Sequence, residues 1–268
     1  MRSCKACYGW AIPWSTCRGS RSFLAVLTLA VVAVVACGEG VETPTAPAAE
    51  PALAPAVSAT LAFRQVSAGY WHTCGVTTDD RAYCWGEGAS GELGDGTNTA
   101  QLSPVPVAGG LRFRQVSAGT WYTCGVTTDD AAFCWGYNAA GQLGDGTQGS
   151  CGGYNPSCTE PETNGNRSMP VRVLGRLRFR QVDAGTWHTC GVTRGNVAYC
   201  WGSNGYGQRG DNAKGEAGRY TDRPTPVAVA GGISFRQVSA GGVHTCAVPA
   251  GGGCAAAGWT GRWPAADA

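Results

Sequence analysis

The 268-residue chain holds 42 glycines, 14 cysteines and ten tryptophans, and only 14% of it is charged. Glycine without a Gly-X-Y period excludes collagen, and 43% hydrophobic residues exclude wholesale disorder. The formal charge of +2 becomes −2 once Arg2, Lys5, Arg18 and Arg21 of the first 37 residues are set aside, which excludes the basic footprint of a nucleic-acid binder.

Residues 1–37 read as an export signal. An uncharged apolar run over 23–36 follows Arg18 and Arg21. As a helix it would rise ~21 Å, short of the ~30 Å hydrocarbon core, so it fits a signal peptide better than a membrane span. The run ends Val34-Val35-Ala36-Cys37-Gly38, which resembles the bacterial lipobox. That resemblance implies a lipid on Cys37, which becomes the mature N-terminus. Gly38 in place of aspartate implies the outer membrane or cell surface, with plain secretion as the alternative. The leading stretch 1–22, with Cys4, Cys7 and Cys17, reads as an overextended gene start. Residues 38–61 are rich in Pro, Ala and Thr without an apolar period, and are expected to be a disordered, extended linker.

From residue 62 the chain repeats itself. Phe63-Arg-Gln-Val-Ser-Ala-Gly69 recurs at 113–119, 179–185 (with Asp183 for Ser) and 235–241. Each copy leads into a second block: Trp71-His-Thr-Cys-Gly-Val76, Trp121-Tyr-Thr-Cys-Gly-Val126, Trp187-His-Thr-Cys-Gly-Val192 and Val243-His-Thr-Cys-Ala-Val248. A third block occurs three times, as Tyr83-Cys-Trp-Gly86, Phe133-Cys-Trp-Gly136 and Tyr199-Cys-Trp-Gly202. Next come Gly91-Glu-Leu-Gly-Asp-Gly-Thr97, Gly141-Gln-Leu-Gly-Asp-Gly-Thr147 and the weaker Gly207-Gln-Arg-Gly-Asp211. Four short strands per unit of about 50 residues predict propeller blades rather than a helical solenoid. The units run 62–111, 112–177, 178–233 and a partial 234–248, with 249–268 as an irregular C-terminal tail.

These blocks resemble the regulator of chromosome condensation repeat, in the paired-cysteine form of bacterial secreted members. The resemblance implies an all-β fold, a partial β-propeller of three complete four-stranded blades plus a truncated fourth. Relatives of full length close with about seven blades. The low-complexity tail after Val248 suggests a reading-frame shift or truncated gene. An open arc of this kind invites self-association through its propeller edges.

The cysteine spacing carries its own argument. Cys74 and Cys84, Cys124 and Cys134, and Cys190 and Cys200 are each ten apart, with Asp79, Asp129 and Gly195 at the midpoints. In a hairpin centred there, the partners stand opposite each other on one face, within reach of a disulfide. The same register sets Tyr83, Phe133 and Tyr199 against Gly75, Gly125 and Gly191, where an aromatic ring would cover a cross-strand glycine. Cys151 and Cys158 are expected to staple the insertion of the second unit, while Cys246 and Cys254 stand eight apart.

The remaining polar residues read as structural. His72, His188 and His244 share one repeat position, which Tyr122 fills in the second unit, so a structural hydrogen-bonding side chain in each unit suits them better than a ligand role. The Gly-Asp-Gly-Thr segments lack the alternating oxygen ligands of a calcium loop and supply tight turns. Trp85, Trp135 and Trp201 read as blade-packing residues. No catalytic constellation, metal set or cofactor motif stands out from the repeat. The expected function is non-enzymatic binding of a protein or glycan at the cell envelope. The insertions 148–169 and 212–223, with Tyr154 and Tyr220, are the expected contact loops. Guanine-nucleotide exchange, implied by the nuclear relatives, and inhibition of a secreted enzyme such as a β-lactamase are the alternatives. An enzyme of unknown type is the last of them.

Overall fold

The computed structural model describes residues 60–149, 165–213, 221–253 and 255–258. They form four antiparallel sheets. The first blade contains β1 (Phe63–Ala68), β2 (His72–Thr77), β3 (Ala82–Gly86) and β4 (Gln101–Pro106). The second contains β5 (Phe113–Ala118), β6 (Tyr122–Thr127), β7 (Ala132–Gly136) and β8 (Arg167–Arg172). The third contains β9 (Phe179–Ala184), β10 (His188–Thr193), β11 (Ala198–Gly202) and β12 (Arg223–Ala228). Strands β13 (Phe235–Ala240), β14 (His244–Pro249) and β15 (Ala255–Gly258) make up the fourth. In each sheet the strands lie in chain order, each next to the one before it in sequence.

The hairpin register follows from the turns. Cys74 stands opposite Cys84, Cys124 opposite Cys134 and Cys190 opposite Cys200. Each pair is joined, with Cα atoms 4.1, 4.0 and 4.1 Å apart. Cys37, Cys151 and Cys158 lie outside the described residues.

The two-residue period of a strand sorts each blade into two faces. Cys74, Val76, Ala82 and Cys84 point one way, where Leu93 joins them, and pack against Phe113, Val116 and Trp135 of the second blade. The same pattern joins the third blade to the fourth, with Cys190, Val192, Ala198 and Cys200 against Phe235, Val238, Ala247 and Ala257. A disulfide face therefore meets an aromatic face at every joint.

Two expectations need correction. The ring that covers Gly75 is not Tyr83, although Tyr83 stands opposite it. A Cβ at Gly75 would lie 2.5 Å from Cδ1 of Phe63, and at Gly125 it would lie 2.7 Å from Cδ1 of Phe113. A register shift between Phe63 and Gln65 re-aims the phenylalanine, and the missing side chain lets its ring cross β2 to reach Trp85 and Tyr83. The second correction concerns the tail. The fourth sheet continues past residue 248 into β15, with Ala256 opposite Cys246 and Ala257 opposite Thr245. Backbone pairing needs no alternation of side chains, so an alanine-rich stretch completes the hairpin. Cys246 is itself disulfide-bonded.

Side chains of the first strands join one blade to the next. The Gln65 carboxamide donates to the Val116 carbonyl at 2.6 Å and accepts the Val116 N–H at 2.8 Å. Gln115 makes the same pair with Val182, at 2.7 and 3.1 Å, and Gln181 with Val238, at 2.8 and 3.2 Å. Arg64, Arg114 and Arg180 donate to the carbonyls of Phe113, Phe179 and Phe235. A carboxamide thus acts as a one-residue strand between sheets that do not pair directly.

Further out, a latch from each blade reaches its neighbour. The Gly96 N–H donates to Ser168 and the Gly146 N–H to Pro224. Trp201 Nε1 donates to the Gln142 carbonyl at 2.8 Å. The third latch carries Arg209 where the others carry Leu93 and Leu143. Its guanidinium is buried on Asp211 and the Gly202 carbonyl, and Ala257 stands where the earlier blades have tryptophan.

The carboxamide bridge has a measurable cost of removal. Gln115→Met keeps the side-chain length and strips both bonds from the buried Val182. Two orphaned backbone groups cost on the order of 2 kcal/mol or more. The thermal midpoint is expected to fall by roughly 4–8 °C. A change of less than about 1 °C, below any measurable loss on that scale, would show that the bridge carries no stability.

Candidate functional site

Each of the first three blades carries one tryptophan in the turn before its second strand, Trp71 exposed and Trp121 and Trp187 partly buried. The backbone pins each turn to the end of the third strand of its own blade. The carbonyls of Trp71, Trp121 and Trp187 accept the N–H groups of Glu87, Tyr137 and Ser203 at 3.0, 2.9 and 2.9 Å. This approach needs glycine at the strand end. Gly136 has φ 106°, and a Cβ there would sit 2.6 Å from the Trp121 carbonyl oxygen.

The turns of neighbouring blades also bond to each other. Tyr70 N–H donates to Gly119 O at 3.1 Å, and Thr186 N–H to Gly241 O at 3.3 Å. The rings of Trp121 and Trp187 lie 5.3 Å apart, and Tyr137 fills the angle between them at 6.0 and 5.9 Å. On the first blade Tyr70 and Trp71 pair at 4.8 Å and are 72% and 54% exposed. Val243 takes the tryptophan position of the fourth blade and ends the row. Half-burial raises the pKa of the Tyr137 phenol, so the cluster is uncharged at neutral pH.

The opposite blade ends have different chemistry. There Arg64 pairs with Asp80, Arg112 with Asp79, and both Arg114 and Arg194 with Asp130. Charges satisfy one another at the hairpin ends, whereas the tryptophan ends carry rings, Tyr70 and Trp71 exposed and Trp121, Tyr137 and Trp187 partly buried. The connections that carry the insertions 148–169 and 212–223 leave from the tryptophan ends. Tyr154 and Tyr220 themselves lie outside the described residues.

The histidines take structural positions. His72 Nε2 lies 2.7 Å from Thr123 Oγ1, and His188 Nε2 lies 2.7 Å from Thr245 Oγ1. Each threonine gives its proton to a carbonyl, of Glu92 or Gln208, so the imidazole donates from Nε2. The buried Nδ1 atoms meet no protein partner. In the second blade the Tyr122 hydroxyl donates to the His188 carbonyl and accepts from Thr189. Tyrosine and histidine thus fill the same repeat position. Asp95 and Asp145 accept the backbone N–H of Thr97 and Thr147 within their own turns. Trp135 and Trp201 are fully buried between blades, whereas Trp85 is half-buried on the first. Among the described residues no three His, Cys, Asp or Glu side chains gather as metal ligands would.

Sequence reasoning had placed contacts in the insertions and left the Trp121–Tyr137–Trp187 cluster unremarked. A signal was present, because a tryptophan recurs one residue before the second strand of three blades, outside any strand. The contact between blades that assembles the rings was not legible.

Comparison with known proteins agrees with this architecture. The regulator of chromosome condensation (RCC1) repeat matches residues 79–126, 129–192 and 196–248, and a second model of the repeat matches 63–92, 113–142 and 179–208. The chain belongs to this repeat family. A stretch of 75 residues, 28% of the chain, is 33% identical to 7% of the rat "Probable E3 ubiquitin-protein ligase HERC4". Protein RCC1 of Candida albicans is 28% identical over 85 residues, 31% of this chain and 18% of that one. The chain thus matches less than a fifth of either curated relative. Among solved structures, human WBSCR16 superposes with a TM-score of 0.57 at 22% identity, over 73% of this chain and 47% of that one. Yeast RCC1 (Prp20), solved bound to Kap60, gives 0.58 at 22% identity, over 74% and 44%.

The buried histidines make stability depend on pH. Burial draws the pKa of His72 down to about 4 and that of His188 to about 3. The unfolded chain titrates near ~6.5 and so binds protons that the folded chain refuses. Stability is therefore complete above pH ~6.5 and falls as pH drops toward about 4, by up to ~1.4 kcal/mol per pH unit for each histidine. Thermal unfolding across that window is expected to show the decline. His188→Tyr, which copies Tyr122, is expected to flatten it, and an unchanged slope would contradict the assignment.

Proposed function

We propose that the chain is a non-enzymatic binding module, tethered at the cell surface through Cys37, that holds a protein partner on the Trp121–Tyr137–Trp187 cluster. The observation that carries this reading is the cluster itself, three mutually packed and partly exposed rings at one set of blade ends. Tryptophan and tyrosine bring large contact area at low entropic cost and dominate the centres of protein interfaces. A rigid propeller holds the rings in place before any partner arrives, which lowers the cost of binding. The non-catalytic reading is supported by the use of His72, His188, Asp95 and Asp145 in bridges and turns.

Relatives give the same kind of support. The yeast RCC1 propeller was solved with the protein Kap60, and Prp20p is described by its binding to Gsp1p and histones. Nucleotide exchange on an intracellular GTPase fits this chain less well, because Cys37 follows an apolar export run. Inhibition of a secreted enzyme falls within the binding reading.

Two experiments test the proposal. Benzoylphenylalanine in place of Tyr137, photoactivated on intact cells, is expected to yield protein adducts, while the same probe at Thr78 on the hairpin ends yields none. Equal adducts from both ends, or adducts with polysaccharide alone, would overturn the protein-binding face. A palmitate analogue is expected to label the wild-type chain and not Cys37→Ala. Labelling of both to the same extent would remove the lipid tether.

A further inference from the structure

The three joints within the chain are built from two dissimilar halves. The giving half consists of Arg, Gln and the His or Tyr of one blade. The receiving half consists of the Phe carbonyl, the two backbone groups of Val and the Thr hydroxyl of the next. Receiving valines are sealed when the joint is made, since Val116, Val182 and Val238 are at most 1% exposed. Val66, at the same position of the first blade, is 55% exposed. Its inner strand repeats the receiving sequence, Phe63-Arg-Gln-Val-Ser-Ala68, with Thr73 following. On the fourth blade Arg236 and Gln237 are exposed, and His244 is half-buried. One edge of the molecule is thus an unfilled receiving half, and the other an unused giving half.

We propose that a second copy of this chain fills these edges, Gln237 of one copy bridging to the backbone of Val66 of the other. The joint is head-to-tail, with Arg236 directed at the Phe63 carbonyl and His244 at the Thr73 hydroxyl. The two faces match in kind as well as in hydrogen bonding. The first blade offers the aromatic face of Phe63, Val66, Tyr83 and Trp85, and the fourth offers the face bearing Cys246 and Val248. A head-to-tail contact closes when the rotation permits and otherwise continues. Two copies bring together eight of the described sheets, within the roughly four to eight blades of closed propellers. Among the described residues the fourth blade has no latch like Leu93 or Leu143 to add to this joint. The pairing joins two chains and so depends on concentration.

Sedimentation of the full chain, in detergent that keeps residues 23–36 dispersed, reads the outcome. The wild type is expected to pass from a one-chain to a two-chain mass as concentration rises. Val66→Asp and Gln237→Ala each alter an exposed side chain and leave the fold intact, which circular dichroism confirms. Each is expected to weaken pairing by about tenfold or more, the loss of ~1.4 kcal/mol or more. Mixing the two variants discriminates the geometry. In a head-to-tail pair the mixture restores one of the two joints, because Gln237 of the Val66→Asp chain meets the intact Val66 of the other, while the second joint carries both changes. A contact between like edges would respond to only one of the two substitutions. A one-chain mass at every concentration, pairing that neither substitution weakens, or a mixture that remains monomeric overturns the proposal. An open-ended series of masses overturns the closed pair.

Discussion

The constraint on which the structure depends is the orientation of one carboxamide. The inner strands of neighbouring blades splay apart and form no common ladder, so each would present unpaired backbone groups to its neighbour. Gln65, Gln115 and Gln181 meet that demand with one donor and one acceptor apiece, aimed at a single valine. A two-pronged bond fixes register as well as distance. Once it is made, the disulfide face of one blade lies on the aromatic face of the next, and Phe113 or Phe235 has a sealed place to sit.

The tryptophan face follows from the same register. Trp121 and Trp187 belong to different sheets and are 66 residues apart, yet their rings pack at 5.3 Å above a joint that Gln115 and Arg114 tie together. The face is therefore as rigid as the joint beneath it. Below the rings, the position of His72 is filled by tyrosine in the second blade, where the hydroxyl donates to the His188 carbonyl and accepts from Thr189 instead of donating to the threonine. Side chains at the joint are selected for hydrogen-bond geometry, and those above it are free to carry recognition.

Repetition makes the ends of the array unlike its middle. Stability in such an array is a sum over units and nearest-neighbour joints, so a terminal blade lacks one joint by construction. The first blade shows this in Val66 and the half-buried Trp85, and the fourth in the exposed Arg236 and Gln237. The third latch adapts to the smaller fourth blade, with Arg209 folded onto Asp211 where no tryptophan awaits it.

By itself the sequence determined whatever depends on spacing along one chain: the all-β blades, the hairpin register, and cysteines brought face to face by a turn centred at Asp79, Asp129 or Gly195. A period of two residues and a turn of known length suffice for these, because every partner lies within a dozen residues. Tertiary structure alone decided which ring covers Gly75, because a register shift in β1 redirects Phe63. It also decided that alanines extend the fourth sheet, since backbone pairing leaves no mark in side-chain pattern. Above all it decided that Trp121, Tyr137 and Trp187 form one surface. Their neighbourhood depends on how one sheet is rotated against the next, and that rotation is set by hydrogen bonds between residues about fifty or more apart.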